Sequence, residues 1–315
     1  MSDPPAPVTL QEGVSSKKKR IVQSALASGI ISIGCGIAAT TYCNQDGYCG
    51  GDPDRRAYLT SLIKKRNPFT DFSATSEAFE WTWKDAYTDT WETLADNDDL
   101  DDRMVQRFSL ASLFYSTNGL TWSDEARDGW LDSNKAACEW NMNDISCATP
   151  FKVSAIDLSD NNLFGYLPTE VAHLTELTSL DFSANQLTGS IGSELGRLTE
   201  LASLNLSDNQ LTGFIPTRLG LLTELTFLDF SDNQLTSYIP PHLGWLTELT
   251  SLDLSNNRLS GSVPTFLGWL TKLQYLDLSN TQLTGTIPSS LCRTVVSFSY
   301  DCNRITCHCC GHCAY

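Results

Sequence analysis

The stretch LDLSNNRLSGSVPTFLGWLTKLQY, residues 252–275, is one copy of a 24-residue unit that occurs six times between Ile156 and Leu291. The copies align at their first position, which is occupied by Ile156, Leu180, Leu204, Leu228, Leu252 and Leu276. A fixed period of this length indicates stacked supersecondary units, each of which buries its apolar residues only against its neighbours. The sequence therefore predicts a solenoid with one continuous core.

Within each unit the pattern changes from that of a strand to that of a helical turn. Leu228 and Phe230 alternate with Asp229 and Ser231, which is the period-two pattern of a strand with one buried face. The later apolar positions recur every three or four residues, which predicts a short helix or 3₁₀ segment on the return path. Parallel strands followed by such turns form an α/β solenoid.

Three further positions recur after each strand. An asparagine follows the strand start by five residues, where its amide can bond backbone groups as the chain leaves the sheet, and Thr281 replaces it in the last copy. A glycine suited to unusual dihedral angles comes next, except at Ser237. A proline lies three residues beyond, except at Gly192.

Together these positions form the pattern LxxLxLxxNxLxGxIPxxLGxL, which resembles the plant-type extracellular leucine-rich repeat of receptor-like proteins and polygalacturonase-inhibiting proteins. The resemblance extends from about Ala78 to Cys313. It implies a right-handed superhelix with a parallel sheet on the concave face. It also implies a helical N-terminal cap, in which Cys138 pairs with Cys147, and a cysteine-rich C-terminal cap.

The segments outside the repeats are predicted from composition. A helix is expected from about Arg103 to Ser116, where apolar residues follow a run of aspartates. The predicted segments are a short cytoplasmic tail at 1–20, a transmembrane signal-anchor at 21–42, a stalk or linker at 43–74, a helical N-terminal cap at 75–150, leucine-rich repeats at 151–291 and a Cys-rich C-terminal cap at 292–315.

The anchor is predicted because residues 21–42 contain no Lys, Arg, Asp or Glu and follow a basic cluster at 17–20. This pattern is typical of a single membrane-spanning helix with a cytoplasmic N-terminus, which would leave the repeats extracellular or lumenal. A cleaved signal peptide on a secreted protein is the alternative, but its apolar core is usually shorter.

The chain has eleven cysteines, and none of them lies inside the repeats. This placement suggests oxidised caps rather than cytosolic thiols. Six lie at the C-terminal end, namely Cys292, Cys302, Cys307, Cys309, Cys310 and Cys313. Six cysteines allow fifteen pairings, and the histidines among them also permit a zinc site. An oxidising compartment favours disulfides over zinc, so no metal is predicted.

Charge and strand-face residues restrict the partner. The formal net charge of −16 argues against nucleic acid. An aspartate recurs on the exposed face of the strands, which suggests either a surface for a basic partner or calcium, or solvated consensus residues, and the second interpretation is favoured. Phe227 and Tyr275 stand where other copies have serine or alanine and are candidate aromatic anchors for a protein, peptide or glycan. The candidate ligand-binding residues are Asp181, Phe227, Asp229, Asp253, Tyr275 and Asp277.

Two other groups of residues carry expectations. Asn205 begins a glycosylation sequon on the strand face, and a glycan there would obstruct that part of the surface. Phe214, Tyr238, Trp245 and Trp269 are expected to pack between adjacent coils.

Nothing in the sequence predicts catalysis or a cofactor. The two histidines outside the terminal cysteine cluster lie in return segments that do not have the sequence pattern of a catalytic serine or cysteine site. The function expected is a membrane-anchored, receptor-like recognition module without a kinase. A secreted inhibitor of a wall-degrading hydrolase and a structural or adhesive surface protein are the alternatives.

Overall fold

The computed structural model describes residues 42–43, 49–50, 97–123, 127, 129–132, 135–140, 144–149 and 152–308. The predicted tail at 1–20, nearly all of the predicted anchor at 21–42, most of the stalk, and Cys309, Cys310 and Cys313 lie outside these residues. Among the described residues, no helix combines the length and the apolar character needed to cross a membrane.

The main sheet has eight strands and consists chiefly of the strand that opens each repeat. These strands are β3 Ile145–Thr149, β4 Lys152–Asp157, β6 Ser179–Asp181, β8 Ser203–Asn205, β10 Phe227–Asp229, β12 Ser251–Asp253, β14 Tyr275–Asp277 and β16 Ser297–Ser299. Their spatial order is β16-β14-β12-β10-β8-β6-β4-β3. All neighbours are parallel except β3 and β4, which are antiparallel. Adjacent repeats pair in register, with Leu204 opposite Leu228 and Leu252 beyond it.

A second set of strands follows the asparagine of each repeat. These strands are β5 Phe164–Tyr166, β7 Gln186–Thr188, β9 Thr212–Gly213, β11 Gln234–Ser237, β13 Arg258–Ser262, β15 Gln282–Thr286 and β17 Ile305–Thr306. Strands β5 and β7 pair with each other, and the other five form a parallel sheet. The recurring glycine has a positive φ in these strands, for example 82° at Gly213, and Ser237 adopts a φ of 73° in the same place. Near the N-terminus, β1 Tyr42–Cys43 pairs antiparallel with β2 Cys49–Gly50.

The return path of each repeat is a 3₁₀ helix, as the sequence predicts. These helices are Thr169–His173, Ser193–Arg197, Thr217–Leu221, Pro241–Trp245 and Thr265–Trp269. Leu291–Arg293 is a shorter one at the end of the repeats, and Gly119–Thr121 and Ala137–Glu139 precede them. Glycine allows the successive turns to pack closely, since a Cβ atom on Gly220 or Gly244 would collide with the backbone carbonyl of the next turn.

The core is a continuous column of leucine side chains with Phe182 and Phe230 among them. An asparagine ladder runs beside this column. The Oδ1 atom of Asn233 accepts a hydrogen bond from the Leu211 N–H at 2.9 Å, and its amide nitrogen donates to the Leu206 carbonyl at 2.9 Å. The buried amide therefore joins adjacent repeats, and the predicted role of the asparagines is confirmed.

Helix α1, Asn97–Ser116, packs against the first repeat through its buried Leu110, Leu113 and Phe114. It begins six residues before the predicted start, so the aspartates lie in its first turns, where the helix dipole favours negative charge. Cys138 and Cys147 form a disulfide with their Cα atoms 5.9 Å apart. At the other end, Cys292, Cys302 and Cys307 are also disulfide-bonded.

Candidate ligand-binding surface

The exposed face of the main sheet carries two rows of side chains on either side of the buried leucines. The first row precedes the leucine and consists of Ala155, Ser179, Ser203, Phe227, Ser251, Tyr275 and Ser297. The second row follows it and consists of Asp157, Asp181, Asn205, Asp229, Asp253, Asp277 and Ser299. Because the strands pair in register, neighbours within a row lie about 4.8 Å apart.

Each acidic side chain of the second row has a structural role that sequence reasoning missed. The Oδ1 atom of Asp229 accepts hydrogen bonds from the N–H of Ser231 at 2.9 Å and from its hydroxyl at 2.7 Å. The same pair of bonds occurs at Asp253 with Ser255, and in every other repeat. These bonds hold the chain as it leaves the sheet. The signal was present in the sequence, since a serine follows each of these residues by two positions.

Asn205 interrupts the row of carboxylates and uses its side-chain amide internally. Its Nδ2 atom donates to Asp181 Oδ2 at 3.0 Å, and its Oδ1 accepts from Ser207. A glycan on this nitrogen would therefore compete with the bond to Asp181. Asp181 lies two strands away from Asp229 and is separated from the other candidate residues by Asn205.

The remaining five candidates are brought together on the three adjacent strands β10, β12 and β14. The Tyr275 hydroxyl lies 3.1 Å from Asp253 Oδ2 and 3.3 Å from Asp277 Oδ2, and donates its proton between them. Burial, followed by the charges of the two carboxylates, raises the pKa of Tyr275. Phe227 lies on β10, directly across Ser251 from Tyr275.

Asp253 occupies the centre of this group, and its ionised form is disfavoured. Burial is the main cause that raises its pKa above the usual 3.8, and the charges of Asp229 and Asp277 act in the same direction. The hydrogen bonds from Ser255 lower its pKa and only partly offset these effects. Among the described residues, no Lys, Arg or His forms an ion pair with Asp229, Asp253 or Asp277.

Comparison with known families identifies the repeat. Residues 176–198 and 200–222 each match the model of a leucine-rich repeat, and residues 223–263 and 247–291 each match the model of two leucine-rich repeats. The repeat region is therefore a leucine-rich repeat domain. A comparison with curated protein sequences finds no significant match.

Solved structures similar to the chain include plant proteins. A plant ice-binding protein is 30% identical over 65% of this chain and 63% of its own, with a TM-score of 0.54. Pollen Receptor Kinase 3 is 25% identical over 56% of this chain and 86% of its own, with a TM-score of 0.51.

A third similar structure is the ectodomain of the membrane receptor kinase GASSHO1/SCHENGEN3 from Arabidopsis thaliana, solved in complex with CASPARIAN STRIP INTEGRITY FACTOR 2. It is 42% identical over 46% of this chain, with a TM-score of 0.44. The chain covers only 17% of the length of that ectodomain.

A third row of charges borders the main sheet of the leucine-rich repeat domain, just before the strands. It consists of Glu176, Glu200, Glu224, Glu248 and Lys272. Lys152 pairs with Glu176 at 3.3 Å, and Lys272 pairs with Glu248. The two ends of the row are therefore neutralised, and Glu200 and Glu224 between them remain exposed and add to the negative charge.

Four aromatic residues of the leucine-rich repeat domain were expected to pack between coils, and this prediction is wrong. Phe214 is 62% exposed, Tyr238 56%, Trp245 47% and Trp269 52%. The space between coils is already filled by the buried leucines and isoleucines of each unit, so these larger rings lie on the surface. Trp269 instead contacts the exposed Phe266 edge to face, with ring centroids 4.9 Å apart.

Proposed function

We propose that the leucine-rich repeat domain is a recognition module that binds a basic peptide or a basic protein segment at strands β10, β12 and β14. The observation that carries the proposal is the group of Asp229, Asp253 and Asp277, which lie in register beside Phe227 and Tyr275. Aromatic side chains provide apolar contact area, and the carboxylates attract cations.

Electrostatics support a cationic partner. Three carboxylates about 4.8 Å apart repel each other, and burial of Asp253 increases the cost of its charge. A bound ammonium or guanidinium group relieves this repulsion, and the negative charge of the chain attracts such a partner over longer distances. The similarity to Pollen Receptor Kinase 3 supports a receptor-like role.

We further propose that the domain faces an extracellular or lumenal compartment, held there by residues 21–42. The disulfide between Cys138 and Cys147 supports an oxidising environment. A secreted form, in which residues 21–42 are removed as a signal peptide, is the alternative. Mass spectrometry of the mature N-terminus distinguishes these two forms.

Titration of the full chain with hexalysine by isothermal titration calorimetry tests the recognition proposal. The variant Asp229→Asn/Asp253→Asn/Asp277→Asn keeps the bonds to the following serines, as Asn205 does with Ser207. We expect its affinity to fall at least about tenfold, because charge-assisted hydrogen bonds contribute about 1.5 kcal/mol or more. Asp157→Asn, at the far end of the row, is the matched control. Equal affinity of the native chain and the triple variant would refute the proposal.

Ice binding is a second candidate function, favoured by a row of hydroxyl side chains on the second set of strands. This row consists of Thr188, Thr212, Thr236, Ser260 and Thr284. Each hydroxyl donates to the carbonyl of the preceding repeat, for example Thr236 to Gly213 at 3.0 Å, so the row is held in a regular array. A regular, uncharged array suits a periodic ligand, and the similar plant protein is described as ice-binding. Thermal hysteresis in the native chain, lost in Thr212→Lys/Thr236→Lys, is the result expected of this function.

A further inference from the structure

A single place on the main sheet presents two aromatic side chains with one small residue between them. Ser251 on β12 pairs with Phe227 on β10 and with Tyr275 on β14, so the three side chains stand side by side on the same face. The Cα atoms of the two aromatic residues are separated by two strand spacings, about 9.6 Å. The first row has Ala155, Ser179, Ser203 or Ser297 in the other strands, so the slot occurs once.

The end of this slot is acidic. Asp253 lies two residues beyond Ser251 on the same strand face, and Asp229 lies beside it, two residues beyond Phe227. Asp253 Oδ2 accepts a hydrogen bond from the Tyr275 hydroxyl at 3.1 Å. Asp229 uses Oδ1 for Ser231, and its Oδ2 accepts no hydrogen bond from the described residues. Two carboxylates with free acceptor capacity therefore lie on adjacent strands where the slot ends.

We infer that this slot is a subsite for a guanidinium group, so that the basic partner presents an arginine side chain between Phe227 and Tyr275. The inference rests on the proposed binding of a basic segment and names the residue type that determines its affinity. A planar ion in contact with two rings requires about 3.5 Å on each side, and the 9.6 Å between the backbones accommodates it. Its N–H groups donate to Asp229 Oδ2 and Asp253 Oδ2.

Arginine fits this arrangement better than lysine does. The guanidinium is planar, stacks on aromatic faces, and presents several N–H donors in one plane, so it can contact both rings and both carboxylates together. The ammonium group of lysine is a compact, strongly hydrated charge that gains from the carboxylates but little from the walls. The slot therefore selects for shape in addition to charge.

The test compares three peptides with the full chain by isothermal titration calorimetry. Hexa-arginine carries charge and a planar group, hexalysine carries charge alone, and hexacitrulline carries the planar group without charge. We expect hexa-arginine to bind about tenfold more tightly than hexalysine. Hexacitrulline should bind weakest, because it has no charge to pair with the carboxylates.

Variants of Phe227 and Tyr275, the two walls of the slot, distinguish binding in the slot from the general attraction of arginine to acidic surfaces. Phe227→Ser restores the serine found in the neighbouring repeats, so the fold tolerates it. This variant should reduce the ratio of the affinity for hexa-arginine to the affinity for hexalysine (the arginine-to-lysine ratio) to between one and two. Tyr275→Phe keeps the ring and should keep most of the ratio. Phe214→Ser removes a more exposed phenylalanine that lies outside the main sheet, and it is the control.

The outcomes distinguish the subsite from the binding function itself. A ratio that is the same in the native chain and in Phe227→Ser overturns the subsite, while binding of hexalysine that depends on the three aspartates leaves the proposed function intact. If neither cationic peptide binds, both proposals fail. A fall in the ratio with Phe227→Ser but not with Phe214→Ser establishes the guanidinium subsite.

Discussion

Asp253 illustrates how a single consensus residue can serve both the fold and a partner. Its Oδ1 atom holds the turn through Ser255, whereas its Oδ2 atom faces Tyr275 and the surface. The recurrence of the aspartate could be predicted from the sequence, and so could its position on the strand face. The different hydrogen bonds of its two oxygens could not be predicted from the sequence, because they depend on the turn that brings Ser255 back to the carboxylate. The prediction that these aspartates are solvated consensus residues therefore misses their hydrogen bonds.

Replacement of Asp253 by asparagine is expected to stabilise the protein at neutral pH. The pKa of Asp253 is raised above 3.8 in the folded state, so folding favours the protonated form. The corresponding stability is fully present below the unfolded pKa and is lost as the pH rises through the folded pKa. Asp253→Asn removes the charge and should raise the free energy of unfolding at about pH 7 by a few tenths to about 1 kcal/mol, since solvent screens a partly exposed group.

Urea denaturation at about pH 7 and about pH 3 checks this prediction. The gain should vanish at the lower pH, where Asp253 is protonated in both the folded and the unfolded chain. Asn205 shows that an amide can replace the carboxylate on the serine of the turn. Asp157→Asn is the control, and it should change stability by less than about 0.5 kcal/mol at either pH. A loss of stability on Asp253→Asn at neutral pH would contradict the expectation.

Ser237 is the one described residue at the recurring glycine position that is not glycine, and it carries a φ of 73°. A side chain in this region costs about 1–2 kcal/mol, whereas glycine adopts it freely but loses more entropy on folding. We expect Ser237→Gly to raise the free energy of unfolding by about 0.5–1 kcal/mol. Thermal unfolding monitored by circular dichroism should show an increase of a few degrees. The reverse change at the equivalent position, Gly213→Ser, should have the opposite sign.

At the scale of the element, the sequence predicted the strand, the turn and the 3₁₀ return correctly, because each unit repeats the same periodicity. It predicted the asparagine ladder as well, but not how the ladder ends at Thr281. There the carboxylate of Asp301 accepts hydrogen bonds from the N–H groups of Asn280 at 3.0 Å and Thr281 at 3.1 Å. Asp301 lies twenty residues downstream in a segment without the repeat pattern, so local spacing could not identify it.

The ladder makes a quantitative prediction about the central repeats. Asn233→Ala leaves the buried N–H of Leu211 without a partner, whereas the Leu206 carbonyl keeps the hydrogen bond from Asn209 at 3.3 Å. An orphaned group costs about 1–3 kcal/mol, so the free energy of unfolding should fall by about 2 kcal/mol. Asp301→Ala, at the end of the ladder, leaves the N–H groups of Asn280 and Thr281 to bond with water. It should therefore lower the free energy of unfolding by only about 1 kcal/mol. Guanidinium denaturation measures both, and equal losses would show that the two positions are equivalent.

At the scale of the whole molecule, the exposed aromatic residues could not be placed from the sequence. Tyr238 follows Phe214, and Trp269 follows Trp245, by the 24 residues of the repeat, so their periodicity alone did not separate inside from outside. Only the packing of the coils shows that the core is already full. The single aromatic slot on the main sheet was predicted as two anchors, Phe227 and Tyr275, but the bond from Tyr275 to Asp253 required knowledge of strand register.

The whole solenoid is stabilised at its ends by elements that do not belong to the repeat. The disulfide between Cys138 and Cys147 links the 3₁₀ segment Ala137–Glu139 to β3 at the edge of the main sheet, and its cysteines are nine residues apart. Loop-closure entropy for this separation corresponds to about 2.5 kcal/mol. Because each repeat contacts only its neighbours, loss of this bond should loosen the N-terminal end first.

Hydrogen exchange of the full-length variant Cys138→Ser/Cys147→Ser measures this effect. Amides of β4 and β6 should exchange faster, whereas those of β12 and β14 should retain the protection of the native chain. Cys292→Ser breaks a disulfide at the opposite end and should produce the reverse gradient, with β16 and β14 affected first. Uniform loss of protection in either variant would mean that the repeats unfold as one cooperative unit. In that case the asparagine ladder and the leucine column, rather than the ends, would determine the stability of every repeat.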